Sequence, residues 1–184
     1  MALWGVTDAD ESLPTWTLGN QKLRNDIYAT QAGWVHRHAD GYEEVLVCVR
    51  GLAVDLDNPN IIGFEFVTDE ISAATNVITV DIAWNEAVSV TAGSPTVVVT
   101  RTGSASDSHT LVYTATGSTD NSKRFTLGST ALVTGDILTL GTGNVALAGG
   151  EIKDTVTLTN VASSTASMLD LTGITDITHT VTAT

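Results

Sequence analysis

With 184 residues the chain is long enough to bury a hydrophobic core without metal or disulfide staples. Eight Lys+Arg against 21 Asp+Glu give a formal charge of -13. This repels phosphate backbones and anionic bilayers, and so sets aside nucleic-acid or membrane partners bound through a basic footprint. A mean hydropathy of +0.16, with 42% hydrophobic residues, places that charge on a folded body and not on a disordered acidic chain.

The opening stretch, residues 1–10, lacks the basic and apolar regions of a signal peptide. No apolar run approaches the roughly 18 residues of a membrane helix. Cys48 is the single cysteine, so an intrachain disulfide is excluded. These features lead to the expectation of a protein made in a reducing cytoplasm. Cys48, inside the apolar run Val45-Leu46-Val47-Cys48-Val49, is expected to fill a buried strand position as a small hydrophobe.

In chain order, Leu13-Pro14-Thr15-Trp16-Thr17-Leu18 reads as a short edge strand or an extended arm, because Pro14 cannot donate to a central ladder. Residues 21–30 carry Leu23, Ile27 and Tyr28, a spacing that suits one helical turn or irregular structure. Ala32-Gly33-Trp34-Val35-His36-Arg37 and Glu44-Val45-Leu46-Val47-Cys48-Val49-Arg50 read as a β pair around the Asp40-Gly41 turn. Ile61-Ile62-Gly63-Phe64-Glu65-Phe66-Val67 is a further strand.

Composition changes near residue 68. Three of the four Trp and two of the three Tyr lie before it, whereas Thr, Val, Ser and Gly dominate from about 70 onward. Branched side chains suit a pleated surface better than a helix. In residues 76–84, Ile78, Val80, Ile82 and Trp84 fall on one face and Thr79, Asp81 and Ala83 on the other. Further strands are expected at 88–90, 96–102, 109–116, 124–127, 136–140 and 151–159. Roughly seven strands over about 115 residues, with turn signals every 8–12 residues, form the pattern of an immunoglobulin-like sandwich. The C-terminal stretch 163–184 is left with two readings, a last strand closing the sandwich or pairing with a neighbouring subunit.

The fold expectation is therefore all-β. A small N-terminal β domain with an extended arm (1–68) precedes an immunoglobulin-like β-sandwich (69–184). About 65 residues with few core positions are marginal alone, so the aromatic side chains of the first part are expected to pack on the second domain or on a partner.

Few motifs in the chain carry chemistry. Gly141-Thr142-Gly143-Asn144 suits a hairpin turn better than a phosphate cradle, and no Gly-x-Ser-x-Gly elbow occurs. Glu43 and Glu44 are adjacent, so on a strand they face opposite ways and cannot serve one substrate together. His36 and His38 share a strand face and would chelate a metal only with a third ligand such as Asp40, so outward polar positions are the simpler reading. Asp55, Asp57 and Asn58, in Asp55-Leu56-Asp57-Asn58-Pro59-Asn60, form a weak calcium candidate, since clustered oxygens suit a hard cation but also make ordinary turns. No catalytic residue, cofactor or resident metal is expected, and the chain is read as non-enzymatic. Leu3, Trp4 and Trp16 lie in segments with weak intrinsic structure. Together with Trp34 they are the expected partner interface, Trp being favoured at binding hot spots.

Two resemblances extend this reading. Met1-Ala2-Leu3-Trp4-Gly5, followed by Ala32-Gly33-Trp34-Val35-His36-Arg37 and Glu44-Val45-Leu46-Val47, resembles the small virion structural proteins of tailed phages of marine bacteria and cyanobacteria. This likeness covers roughly the first 50 residues, and the stretch between the motifs is shorter and more charged here. The segment from Asn76 to Pro95, with Gly135-Asp136 and Gly150-Glu151-Ile152-Lys153-Asp154, is similar to bacterial and phage immunoglobulin-like repeats. These likenesses imply a bacteriophage capsid decoration, or cement, protein in the virion, assembled in the host cytoplasm. It would dock on the major capsid protein or another virion protein and repeat as a homo-oligomeric contact on the lattice. The alternatives are a neck, tail or fibre component contacting the host surface, or a carbohydrate-binding or calcium-dependent adhesive module.

Overall fold

The computed structural model describes residues 13–14, 23, 25–56, 58–67, 75–140, 145–156 and 177–180. Within them the protein is all-β and sandwich-like. A small antiparallel sheet is formed by β1 (Ile27–Thr30), β2 (Gly33–Arg37) and β3 (Glu43–Cys48), with β2 central. One helical turn, α1 (Leu52–Asp55), follows. The later strands are β4 (Ile61–Phe66), β5 (Thr75–Trp84), β6 (Val88–Ala92), β7 (Thr96–Thr102) and β8 (Asp107–Thr114). After them come β9 (Ser122–Ala131), β10 (Ile137–Leu140), β11 (Glu151–Asp154) and β12 (Ile177–Thr180).

Seven of these strands form one sheet in the order β12-β10-β7-β8-β9-β5-β4, and β11-β6 form a two-stranded ribbon. β12 approaches β4, so the large sheet curls until its two edges lie near each other. The ribbon contributes Val88 and Ile152 to the same core as Val97, Val99, Leu111, Phe125 and Leu138 from the sheet. Burying each such side chain contributes about 1.5–3 kcal/mol.

β5 shows how the sequence builds this core. Its alternation places Ile78, Val80, Ile82 and Trp84 inward, each at 0% exposure, while Thr79 and Asp81 on the other face are half-buried. Asp81 receives a two-pronged contact from Arg124, Nε and Nη2 each at 2.8 Å, across the β5–β9 pair. β9 runs longer than the expected 124–127 and β11 ends earlier than the expected 151–159. β12 pairs with β10 through Ile137–Thr180 and Leu140–Ile177. Of the two readings of the C-terminal stretch, the last strand closing the sheet is the one formed by the described residues.

The small sheet has its own core of Ile27, Ala29, Trp34, Val47, Val49 and Leu52. Residues 27–30, expected as a helical turn or irregular structure, are strand β1, because pairing with β2 from Ile27–His36 to Thr30–Gly33 outweighs their weak local preference. Cys48 is exposed, which corrects its expected burial. Strand alternation directs Val47 and Val49 inward, and the residue between them points out. β4 lies before the composition change at residue 68 and is hydrogen-bonded into the large sheet against β5. A bulge between Ile61 and Gly63 lets consecutive Ile61 and Ile62 both be fully buried.

Candidate functional site

The small sheet is fastened to one end of the sandwich by backbone and side-chain contacts. The Ala29 N–H donates to the Asn85 carbonyl at 2.6 Å, beside a parallel bridge between Ala29 and Glu86. Asn121, 2% exposed, donates from Nδ2 to the Asn25 carbonyl at 3.0 Å and to the Trp84 carbonyl at 3.3 Å. Gly63 lies directly against Asn25, where any Cβ would stand 1.8 Å from Oδ1.

Arg37 occupies the centre of this junction. Its Nη2 donates to Tyr28 Oη at 2.5 Å, to Glu43 Oε1 at 2.9 Å and to Asp120 Oδ2 at 2.8 Å. Its guanidinium also lies over the Tyr28 ring, 4.9 Å from the centroid. The Tyr28 hydroxyl donates to Glu43 in turn. Burial, then the hydrogen bond to Glu43, pushes the Tyr28 phenol well above its ordinary value. The hydrogen bonds from Tyr28 and Arg37 hold the Glu43 carboxyl below its usual range. Burial opposes the Arg37 charge, but Glu43, Tyr28 and Asp120 outweigh it and its pKa is raised. A phenol locked neutral and a carboxylate locked ionised exchange no proton near neutrality. The cluster is a latch.

Lys123 lies beneath the same loop, 6% exposed, with Nζ donating to the Thr119 and Asp120 carbonyls at 2.5 and 3.1 Å. Burial lowers its pKa to about 8, with Arg37 pushing the same way and Asp120 opposing.

On the opposite face of the β2–β3 hairpin, His36, His38 and Glu44 converge, their ligand atoms all within 4.8 Å of one another. His38 Nε2 is 3.1 Å from Glu44 Oε2, and the His36 and His38 ring centroids are 4.3 Å apart. The hairpin loop is short. The His38 N–H donates to the Tyr42 carbonyl and the Gly41 N–H to the His38 carbonyl, each at 2.8 Å, with Gly41 at φ 84°.

The third group beside the two histidines is Glu44, not the Asp40 named as a possible third ligand. The Asp40 carboxylate instead accepts the Tyr42 N–H at 3.0 Å inside the loop. Glu44 was legible in principle, since a hairpin centred on Asp40 sets residue 36 opposite 44 and residue 37 opposite 43. Trp34, expected at a partner interface, is 1% exposed and belongs to the core of its own sheet. Its place on the central strand leaves it covered by Ile27, Val47 and Leu52. Leu3, Trp4, Trp16 and Asp57 lie outside the described residues. Asp55 ends α1, and Asn58 is exposed, its N–H donating to the Leu56 carbonyl and its carbonyl accepting from Asn60. This loop makes ordinary turn contacts.

β3 has β2 as its one neighbour among the described strands, and beside its free edge Tyr42 and Val45 are 64% and 47% exposed. A family of unknown function (DUF7440) matches residues 16–78, less than half of the chain. The matched segment contains the small sheet, α1, β4 and the first residues of β5. No curated protein and no solved structure matches the chain.

Proposed function

We propose that the protein is a non-enzymatic structural component of a phage virion. In this reading it is a capsid decoration protein that docks on the major capsid protein through its N-terminal region and projects its immunoglobulin-like sandwich outward. The observation that supports this most directly is the latched junction. Arg37, Asn121 and the Ala29 backbone hold the small sheet on one end of the sandwich. A force or contact at the small sheet is then passed to the projecting body through these bonds. The β3 edge has no strand partner among the described residues and, with exposed Tyr42 and Val45, offers main-chain groups and apolar surface for strand addition. The acidic charge of -13 suits a surface that faces away from packaged DNA.

The reading is tested by quantifying the protein in purified virions by mass spectrometry against the major capsid protein. A ratio near one, or near one per few capsid subunits, is expected. A ratio of a few per hundred moves the protein to the neck, tail or fibre, and complete absence from particles overturns the virion reading. Deleting residues 2–18 should abolish capsid binding while the sandwich stays folded, and normal occupancy by the truncated chain would refute docking through the arm.

A further inference from the structure

We propose that His36, His38 and Glu44 bind one divalent transition-metal ion of the zinc class per chain, at a site with coordination positions left open to solvent. His36 lies on β2 and His38 one residue past its end, two apart in the chain, and the register sets Glu44 directly opposite His36. The short loop then fixes His38 against its own hairpin through the His38–Tyr42 and Gly41–His38 backbone bonds. Three donors are thereby delivered to one patch by a rigid, local element.

The distances suit a small ion. Ligand atoms at about 2.0–2.1 Å from a tetrahedral zinc stand about 3.3 Å from each other. His38 Nε2 and Glu44 Oε2 are already at 3.1 Å, and all three donor atoms lie within 4.8 Å of one another. His38 and Glu44, at 39% and 53% side-chain exposure, face solvent beside His36.

The donor set selects the metal. Two imidazoles with one carboxylate suit zinc and its first-row neighbours, whereas calcium and magnesium demand oxygen ligands. Three protein ligands leave one tetrahedral position for water, the arrangement of an open site. Competing charge is directed elsewhere, because Arg37 and Glu43 are paired with each other and with Tyr28 on the other face of the hairpin. The net charge of -13 raises the local concentration of cations around the whole chain.

The test uses the full chain, stripped with a chelator and titrated with Zn²⁺ by calorimetry and with Co²⁺ by visible absorption. One ion per chain is expected, with the Co²⁺ d–d bands of a tetrahedral nitrogen and oxygen site. Both E44Q and the double variant H36A/H38A should weaken Zn²⁺ binding by at least about tenfold. D40N and H109A should bind as the wild type does, and the circular dichroism of all variants should match it. Absence of stoichiometric Zn²⁺ binding to the wild type overturns the proposal. So does unchanged affinity in H36A/H38A, or Ca²⁺ binding as tight as Zn²⁺ and equally lost in E44Q.

Discussion

Lys123 should make the stability of this protein rise between about pH 7 and 9.5. The residue is 6% exposed and its ammonium is held by the carbonyls of Thr119 and Asp120, yet burial lowers its pKa to about 8. In the unfolded chain a lysine titrates near its ordinary value of about 10.4. Between those values the unfolded state binds more protons than the folded state, so the free energy of unfolding increases as pH rises. At pH 7 the folded lysine is about nine-tenths charged and carries almost the full cost of burial, whereas at pH 9.5 it is nearly neutral. Integrating the difference in bound protons from pH 7 to 9.5 gives a gain of about 2 kcal/mol. Tyr28 acts with the opposite sign, because its raised pKa removes stability only as pH passes the ordinary tyrosine value of about 10. The assay therefore ends at pH 9.5. Urea unfolding followed by Trp fluorescence, run on the wild type and K123M across that range, isolates the effect. The wild-type curve should climb by about 2 kcal/mol relative to the variant. Parallel curves would show that Lys123 is not desolvated and would refute the reasoning.

Three further outcomes follow from the same structure. N121A strips the donors from the Asn25 and Trp84 carbonyls at the junction and should cost about 1–3 kcal/mol in urea unfolding; an unchanged midpoint would mean that the junction is not held there. G33A forces an L side chain to φ 125° with its Cβ 2.0 Å from the Val47 carbonyl oxygen, and should cost more than about 3 kcal/mol; wild-type stability would contradict the β2–β3 approach. Cys48 should react with an aromatic disulfide reagent in native buffer as fast as in denaturant, and protection released only by unfolding would return it to the interior.

The sandwich was legible because its strands repeat a simple pattern. Ile78, Val80, Ile82 and Trp84 alternate with polar residues and become the inward row of β5. Turn residues such as Gly93 and Gly103, at φ 73° and 132°, separate strands where the sequence places them. Gly103 also shows why turns are specific: a Cβ there would meet Asp136 Oδ1 at 2.7 Å, and that carboxylate accepts the Ser104 and Val133 N–H groups. A hydrogen bond from the Ser104 side chain, then those from the Val133 and Ser104 N–H groups, hold the Asp136 carboxyl below its usual range. The first part of the chain was harder to read because short strands such as Ile27–Thr30 carry little periodicity, and partner strands decided them. Cys48 was misplaced for a related reason, since an apolar run reads as buried throughout although alternate residues of an edge strand face out.

Sequence distance also separates the two side-chain clusters of the small sheet. The imidazole–carboxylate group sits within one hairpin, so its members follow from the loop centre and strand period once the hairpin is recognised. The latch joins Arg37 to Asp120, 83 residues apart, and Asn25 to Asn121, 96 residues apart. No local pattern encodes such pairings, because they exist only after the curled sheet brings the loop before β9 beside β1 and β2. The same contrast divides their roles. A cluster fixed by one hairpin keeps its geometry when neighbouring parts shift, which is what a metal site needs. A cluster spread over distant segments forms only when the whole chain has folded, which makes it a reporter and a stabiliser of the assembled state. Weakening the junction by N121A should therefore leave Zn²⁺ affinity within about threefold of the wild type, because the ligands travel with their hairpin. A loss of zinc affinity in step with the loss of the junction would show that the hairpin does not hold its shape alone.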